Sequence, residues 1–358
     1  MSVRRPEIRA LVAGNVISGF YVKNFEVNSS RYEACDVASV VFAIDTTKID
    51  NSGTLWFEQD TTENISFVLE MRDAVVTASE WERFFDGQVD HVQYFPDKGL
   101  LEVECRDALA FLMDLRVQDS WLNHTGEELL RVLIEAAGLT AQIDFPSESA
   151  SIMTGQFWQI EHKRLSLLSH HRFQTAADVA FMISRDAGCD LYADGKTIVC
   201  SPVLSSDGNQ AIVHDVRGAV LSRSFGRDLQ ADRGFVVHVA SWDSRQRSAT
   251  EIYYDGDSFS STGPQDQRSV HGFRLPGRRL EDLKRFAVGK YARIAAHVRS
   301  GYVRLPGRSE LRPRDFLRLG DGYWENPLAI DQVISRFSLE EGFLQELVLR
   351  NRGEVPVA

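Results

Sequence analysis

Hydrophobic and polar residues alternate along the first third of the chain, over 35–43 and again over 65–71. A period of two is typical of half-buried strands. The motif at 85–87, Phe-Asp-Gly, opens a further strand, and Pro-Asp-Lys-Gly at 96–99 predicts a tight turn. Short strands separated by turn signals predict a small β-barrel domain in residues 1–116.

An apolar segment at 108–115 predicts a short closing helix, and two helix–strand units follow in residues 117–203. Each unit begins with a threonine that an acidic residue follows three positions later, which is the pattern of a capping box. Each helix stops at a glycine and leads directly into a strand. The caps are Thr125 with Glu128 and Thr175 with Asp178, and the stops are Gly138 and Gly188. These units predict a small α+β middle domain.

The last third, 204–358, is predicted to be β again with one helical interruption. Strands are expected over 219–221, 235–239, 317–319, 328–335 and 345–350. An amphipathic helix is expected over 280–298, because Leu283, Ala287 and Ile294 share one helical face. The predicted fold class is therefore mixed: mainly β with α+β, with two small β-barrel domains and interposed and inserted α+β segments.

Composition limits the class of protein. With 358 residues, of which 43% are hydrophobic, the chain has room for two or three cores. No apolar run approaches the roughly 18 residues of a membrane span, so neither a signal peptide nor stable membrane insertion is predicted. The 4 cysteines are too scattered for a disulfide framework or a zinc ribbon. We therefore expect assembly in a reducing cytoplasm.

The net charge of −11 is unevenly distributed. Residues 217–320 contain 20 basic and 11 acidic side chains, whereas the rest of the chain contains 20 basic and 40 acidic ones. Such polarity steers one face toward an acidic partner, although a solvated, arginine-rich surface has the same pattern. Stacking aromatic residues do not alternate with the basic ones, so no nucleic-acid-binding surface is predicted.

Candidate chemistry is sparse. The sequence contains no nucleophile elbow, phosphate loop, dinucleotide fingerprint or HExxH motif. Asp255 and Asp257 flank a glycine without the further ligands of a calcium loop, which predicts a turn. Four residues close in sequence raise the question of zinc ligation: Glu161, His162, His170 and His171. They have no cysteine nearby, and the adjacent histidines point in opposite directions, so zinc is disfavoured.

Carboxylates on the predicted hairpin 85–105 are the remaining candidates for catalysis. They are Asp86, Asp90, Glu102 and Glu104. A pair of carboxylates facing each other is what a glycosidase requires. On the strands of a small barrel, such residues more often form the solvated face. We therefore predict no catalytic site, no cofactor and no metal.

Cys189 and Cys200 lie on the two arms of a second predicted hairpin. With a type I′ turn at 194–195, Cys189 pairs with Cys200 on an apolar face shared with Leu191 and Ile198. This is a hydrogen-bonded position, where the strands lie farther apart and a disulfide would be strained. The compartment does not favour a bridge either. Two free thiols that fill a core are therefore predicted.

The stretch QTAADVAFMISRDAGCDLYADGKTIVCSP, 174–202, resembles the signature of the phage late control protein D family. This family comprises the baseplate hub proteins of contractile-tailed phages and related injection machines. Further matching pieces are FFDGQVDHVQYFPDKGLLEVECRDAL at 84–109 and the closing region 291–350. The likeness covers most of the chain and depends on the order of its pieces. The segment 228–267 fits the family only loosely, which predicts an insertion.

The resemblance implies a structural role rather than an enzymatic one. By this resemblance, the chain is expected to contain two small β-barrels with interposed α+β domains and to form a homotrimer. Its pseudo-sixfold ring adapts the tail tube to the central spike. The implied partners are the tail tube, central spike, tape-measure and baseplate wedge proteins, with DNA only as passing cargo. The implied location is the tail baseplate of the virion, after assembly in the host cytoplasm.

Two alternatives remain open at this point. The hairpin carboxylates allow a tail-associated cell-wall hydrolase. The architecture also allows a spike-type component of a secretion or injection system. Spike-type members continue into a further barrel and a long β-prism, whereas this sequence ends at Ala358 without either. That difference favours a separate spike subunit.

Overall fold

The computed structural model describes residues 3, 5–32, 34–45, 56–58, 64–76, 80–117, 124–146, 175–206, 208–216, 220–243, 247–266, 268–275, 279–320 and 326–352. Strands predominate within these ranges. The strands are β1 Pro6–Val12, β2 Asn15–Val16, β3 Phe20–Ser30, β4 Val37–Ile44, β5 Ser66–Asp73, β6 Glu82–Phe95, β7 Leu100–Arg106, β8 Thr140–Ile143, β9 Cys189–Asp194, β10 Thr197–Pro202, β11 Val213–Asp215, β12 Ser222–Arg227, β13 Phe235–Asp243, β14 Ser248–Tyr254, β15 Phe259–Ser260, β16 Ser269–Arg274, β17 Arg299–Pro306, β18 Phe316–Arg318, β19 Leu328–Ser338 and β20 Gly342–Arg350.

Helices are fewer in the described ranges. The α-helices are α1 Leu109–Asp114, α2 Gly126–Ala136, α3 Ala176–Asp186, α4 Leu229–Asp232 and α5 Leu280–Ala295, and single 3-10 turns lie at Trp56–Glu58 and Pro96–Lys98. This content confirms the predicted class, mainly β with α+β. The chain divides into two compact units. The first comprises 1–203, 304–313 and 332–346, and the second comprises 204–303, 314–331 and 347–358. The three predicted domains, 1–116, 117–203 and 204–358, and the closure of two barrels remain predictions.

The first unit is built on an antiparallel sheet. Its strands follow the order β19–β3–β4–β7–β6–β5–β1–β2. Alternation along β4, β5 and β7 buries every second side chain, as the sequence pattern predicts. The side chains that fill this core include Ala38, Val40, Phe42, Phe67, Leu69, Met71, Leu101, Val103 and Cys105. Gly307 lies at the edge of the same core, where an added Cβ would overlap the ring of Phe343.

The helical part of the first unit forms a second core. Helices α1, α2 and α3 pack on one face of a three-stranded sheet of order β8–β10–β9. Both predicted capping boxes are present: Thr125 and Thr175 each accept a hydrogen bond from the backbone N–H three residues on, and the carboxylate of that acidic residue accepts one from the backbone N–H of the threonine. Gly138 and Gly188 follow the helices with φ of 74° and 71°, the left-handed conformation that lets the chain turn into a strand.

The register of the β9–β10 hairpin differs from the prediction. Asp194 pairs with Thr197, so Cys200 faces Leu191, and Cys189 faces Pro202. The predicted pairing of Cys189 with Cys200 is therefore wrong. The cause is the turn: Gly195, with φ of 58°, is the first of two turn residues, as in a type II′ turn, rather than the second, as in a type I′ turn. An Asp-Gly sequence fits both placements.

The second unit contains two groups of strands. One group has the order β12–β17–β20–β19, with β18 paired to β19 and β11 paired in parallel to β18. The other is a four-stranded sheet of order β15–β14–β13–β16, in which only β13 and β16 run parallel. Helix α5 packs against this sheet and ends at Ala295, three residues before the predicted end.

Candidate assembly surface

The sheet β15–β14–β13–β16 has one covered face and one open face. On the covered face, Leu283 and Ala287 of α5 are fully buried against the alternate side chains of β13. Tyr291, one turn later, stacks on Phe235 with ring centroids 4.4 Å apart. Its hydroxyl end reaches Gly256, where φ is 107° and an added Cβ would collide with the tyrosine ring. The sheet and the helix therefore share one apolar core.

The open face carries the side chains of each strand that alternate with those facing α5. Along β13 it presents Val236, His238, Ala240 and Trp242, because the intervening residues face α5. Val236 is buried, so the face is open toward the Trp242 end of the strand. The register places Tyr253 of β14 opposite His238, and the two rings stack 4.4 Å apart. Trp242 is 54% exposed, an unusual degree for a tryptophan on the central strand of a sheet.

The edge strand β16 continues this open face. Its register puts Gly272 beside His238 and Arg274 beside Ala240, and Val270 is 47% exposed on the same side. Because Ala240 and Gly272 are small, the middle of the face is flat. The sequence contained a partial signal for this surface: the apolar positions 235, 237 and 239 share one phase and Trp242 occupies the other, although Val236 in that second phase is apolar too. The surface was not predicted from the sequence.

Arginines of the same hairpin hold two of the four hairpin carboxylates. Asp86 accepts a hydrogen bond from Arg83 at 3.0 Å, and Asp90 forms an ion pair with Arg106. Glu104 is exposed, and Glu102 is half-buried on the neighbouring strand β7. This pairing is typical of a solvated sheet face, and the absence of a catalytic site stays a prediction.

Asp255 and Asp257 form a turn. The carboxylate of Asp255 accepts hydrogen bonds from the backbone N–H of Ser258 at 2.9 Å and of Asp257 at 3.1 Å. These bonds lower the pKa of Asp255, because they stabilise its charged form. Within the described residues, no three His, Cys, Asp or Glu side chains converge as metal ligands. Glu161, His162, His170 and His171 lie outside the described residues.

The two hairpin cysteines share the helical core and are free thiols in this structure. The thiol of Cys200 donates to the hydroxyl of Ser184 at 3.3 Å, and that hydroxyl donates to the carbonyl oxygen of Ala180 at 2.9 Å. A hydrogen bond to the sulfur of Cys200, together with burial, raises the pKa of Cys189. Cys189 is therefore held in the core as a protonated thiol.

A buried ion pair, also missed by the sequence analysis, joins the two cores of the first unit. Arg31 follows β3, and its guanidinium forms two hydrogen bonds with the carboxylate of Asp190 on β9. The side chains are only 2% and 13% exposed. A second pair joins Arg83 of β6 to Asp194, which lies on the same strand as Asp190, and its side chains are 48% and 60% exposed. Partners 159 residues apart have no local sequence signal.

Solved structures with this fold include proteins of phage tails. A tail protein from Neisseria meningitidis MC58 matches with a TM-score of 0.67 at 12% identity, over 98% of this chain and 97% of that one. The 43 kDa tail protein of prophage MuSo2 from Shewanella oneidensis matches with a TM-score of 0.63 at 10% identity, over 96% and 98%. No protein-family model and no curated protein matches the sequence.

A third structure with the same fold comes from a secretion system. The E. coli c3393 protein is a component of the type VI secretion system and is structurally similar to the T4 tail proteins gp27 and gp5. It matches with a TM-score of 0.56 at 10% identity, over 98% of this chain and 78% of that one. These likenesses agree with the mainly β, α+β fold class that the family resemblance implies, and the two-barrel organisation stays a prediction. In the described part of the chain, no helix is long and apolar enough to cross a membrane.

Proposed function

We propose that this protein is a structural component of a phage tail baseplate, the central hub that adapts the tail tube to the spike. The observation that carries the proposal is the extent of the likeness: tail proteins match this chain over 96–98% of its length and over nearly their own full length. A match of that extent includes both units and leaves no further described domain for a separate activity. The role is structural rather than enzymatic.

The hub is a homotrimer, and each copy contributes two barrel-like halves to a pseudo-sixfold ring. A sixfold ring matches a tail tube, whereas the threefold symmetry matches a trimeric spike. Its partners are the tail tube, central spike, tape-measure and baseplate wedge proteins, and DNA passes only as cargo. The protein therefore belongs to the virion tail, after assembly in the host cytoplasm.

Light scattering coupled to size exclusion tests the trimer. The chain has a mass of 40.4 kDa, so a trimer weighs about three times as much. Negative-stain images of the same sample should show rings, and co-expressed spike and tube proteins should co-elute with it. A strictly monomeric chain at high concentration that binds neither protein would refute the hub.

A spike-type component of a secretion system is the second candidate, because c3393 has the same fold over 98% of this chain. Co-purification separates the two: a hub binds a separate spike protein, whereas a spike-type protein does not need one. The cell-wall hydrolase has less support, since Asp86 and Asp90 are already paired with arginines. Peptidoglycan release by the purified chain, abolished by Glu104→Gln, would reinstate it.

A further inference from the structure

The open face of the β13–β16 sheet has the composition of an interface centre. It combines an exposed tryptophan, a stacked tyrosine–histidine pair and an exposed valine, with small residues between them. Tryptophan and tyrosine dominate the energetics of protein interfaces, where they form a small centre that excludes water.

Two arginines lie at the Trp242 end of this face. Arg274 lies on the face itself, and Arg247, which directly precedes β14, is exposed beside it. Glu251, on the same face, lies 3.4 Å from the imidazole Nε2 of His238. Beside Val270, Arg268 is paired with Asp255 and Asp266, so that end of the face is not basic. A partner for this surface therefore needs an apolar centre and an acidic rim at the Trp242 end.

The chain itself supplies a surface of the required sign. The first unit contains 35 acidic and 21 basic residues, whereas the second contains 16 acidic and 19 basic residues. A surface from the second unit of one copy and a surface from the first unit of another are thus electrostatically complementary. Contacts between different surfaces of identical copies are heterologous, and they close into rings when the rotation allows.

We propose that the open face, centred on Trp242, Tyr253 and Val270, is a docking surface for the acidic first unit of a second copy of this chain. The inference rests on the proposed function, because a ring of copies is what such a contact builds. Apolar contact at the tryptophan supplies affinity, and the arginines supply orientation and sensitivity to salt.

Trp242→Ala tests the centre of the surface, and Leu229→Ala is its matched control. Leu229 is 63% exposed on α4 of the same unit, so both changes remove an exposed apolar side chain. We expect Trp242→Ala to weaken self-association by roughly 30-fold or more, as for an interface hot spot, and Leu229→Ala to leave it unchanged. Light scattering across a dilution series measures both. Circular dichroism verifies that each variant is folded.

An accessibility measurement gives a second readout. Val270→Cys places a thiol on the open face, and Leu229→Cys places one away from it. In the assembled protein, maleimide should label the first slowly and the second rapidly, and dilution to monomers should remove the difference. Raising the salt concentration should have the same effect as dilution, because the complementary charges are screened.

The outcomes separate the inference from the proposed function. Two results together would overturn the docking surface and leave the hub intact. Trp242→Ala would form assemblies of the same mass as the wild type, and Val270→Cys would be labelled at the same rate in assembled and dissociated protein. A wild-type chain that is monomeric at every concentration would overturn both. The inference is supported if Trp242→Ala loses association while Leu229→Ala keeps it, and if Val270→Cys is labelled more slowly in assembled than in dissociated protein.

Discussion

Removal of the Arg31 guanidinium leaves the carboxylate of Asp190 buried without its principal partner. The Arg31 side chain is 2% exposed and that of Asp190 is 13% exposed, so water replaces the lost hydrogen bonds poorly. Loss of one partner from a buried ion pair costs about 3–5 kcal/mol. Because Asp190 retains some exposure, we expect Arg31→Ala to lower the free energy of unfolding by about 3 kcal/mol. That is a large share of the roughly 5–15 kcal/mol typical of a folded domain.

Urea denaturation followed by far-UV circular dichroism measures this loss. Asp194→Ala is the control. Asp194 lies on the same strand as Asp190, but the side chains of its ion pair with Arg83 are 60% and 48% exposed. An exposed pair contributes about 0.2–1 kcal/mol. Equal and small losses in Arg31→Ala and Asp194→Ala would refute the view that the buried pair joins the two cores.

A double variant separates charge pairing from packing. Replacing both partners by apolar residues of similar volume, Arg31→Met with Asp190→Leu, leaves no buried charge. Such replacements are often neutral or stabilising. We therefore expect the double variant to recover most of the stability that Arg31→Ala loses. If it is less stable than the single variant, the hydrogen bonds themselves are the main contribution.

Five further predictions concern glycines, a helix cap and the cysteines. Gly307→Ala should cost several kcal/mol because its Cβ overlaps a core phenyl ring, whereas Gly289→Ala, mid-helix with open space around it, should stabilise by about 0.5–1 kcal/mol; thermal unfolding measures both. Thr125→Ala should cost about 1 kcal/mol by loss of its cap. The Thr125 amide lowers the pKa of Glu128, so this cap should weaken as pH falls, which helix content reports. Titration of the unfolded chain without reductant should find four free thiols. Burial raises the pKa of Cys35 to about 11, so its alkylation should keep rising toward that pH rather than levelling off near 9.

Local signals in the sequence predicted local structure well. A threonine followed three residues later by an acid, and a glycine at the end of the apolar period, depend only on backbone groups within one helical turn. Both capping boxes and both left-handed glycine stops are present in the structure for that reason. The strands of the first third were predicted equally well, because one face of each is buried.

The hairpin register shows where such signals fail. A slip of one residue would have put Leu191 and Ile198 on opposite faces of the hairpin, and the alternation of the strands excludes it. A slip of two residues keeps every side chain on its face, so alternation cannot detect it. Only the turn decides between them, and Asp194-Gly195-Lys196 is compatible with glycine as either the first or the second turn residue.

The candidate surface was missed for a different reason. The outward phase of β13 was visible in the sequence, but a tryptophan in that phase signals binding only once the sheet is known to be covered on its other side by α5. That helix lies some forty residues later in the chain. Burial on one face and exposure on the other are properties of the packed sheet.

The outward-facing aspartates of β9 show the opposite case, in which residues that the sequence pattern assigns to solvent meet other parts of the protein. Cys189 and Leu191 face the helices, so Asp190 and Asp194 fall on the opposite side, which the pattern alone assigns to solvent. In the structure both aspartates meet arginines of the antiparallel sheet, and Val199 on the same side is only 8% exposed. This face is therefore an internal junction whose specificity comes from charge pairing. Such a junction fixes how the two cores of the first unit meet. In any other arrangement a buried carboxylate would lose its guanidinium partner, and that loss would destabilise the fold.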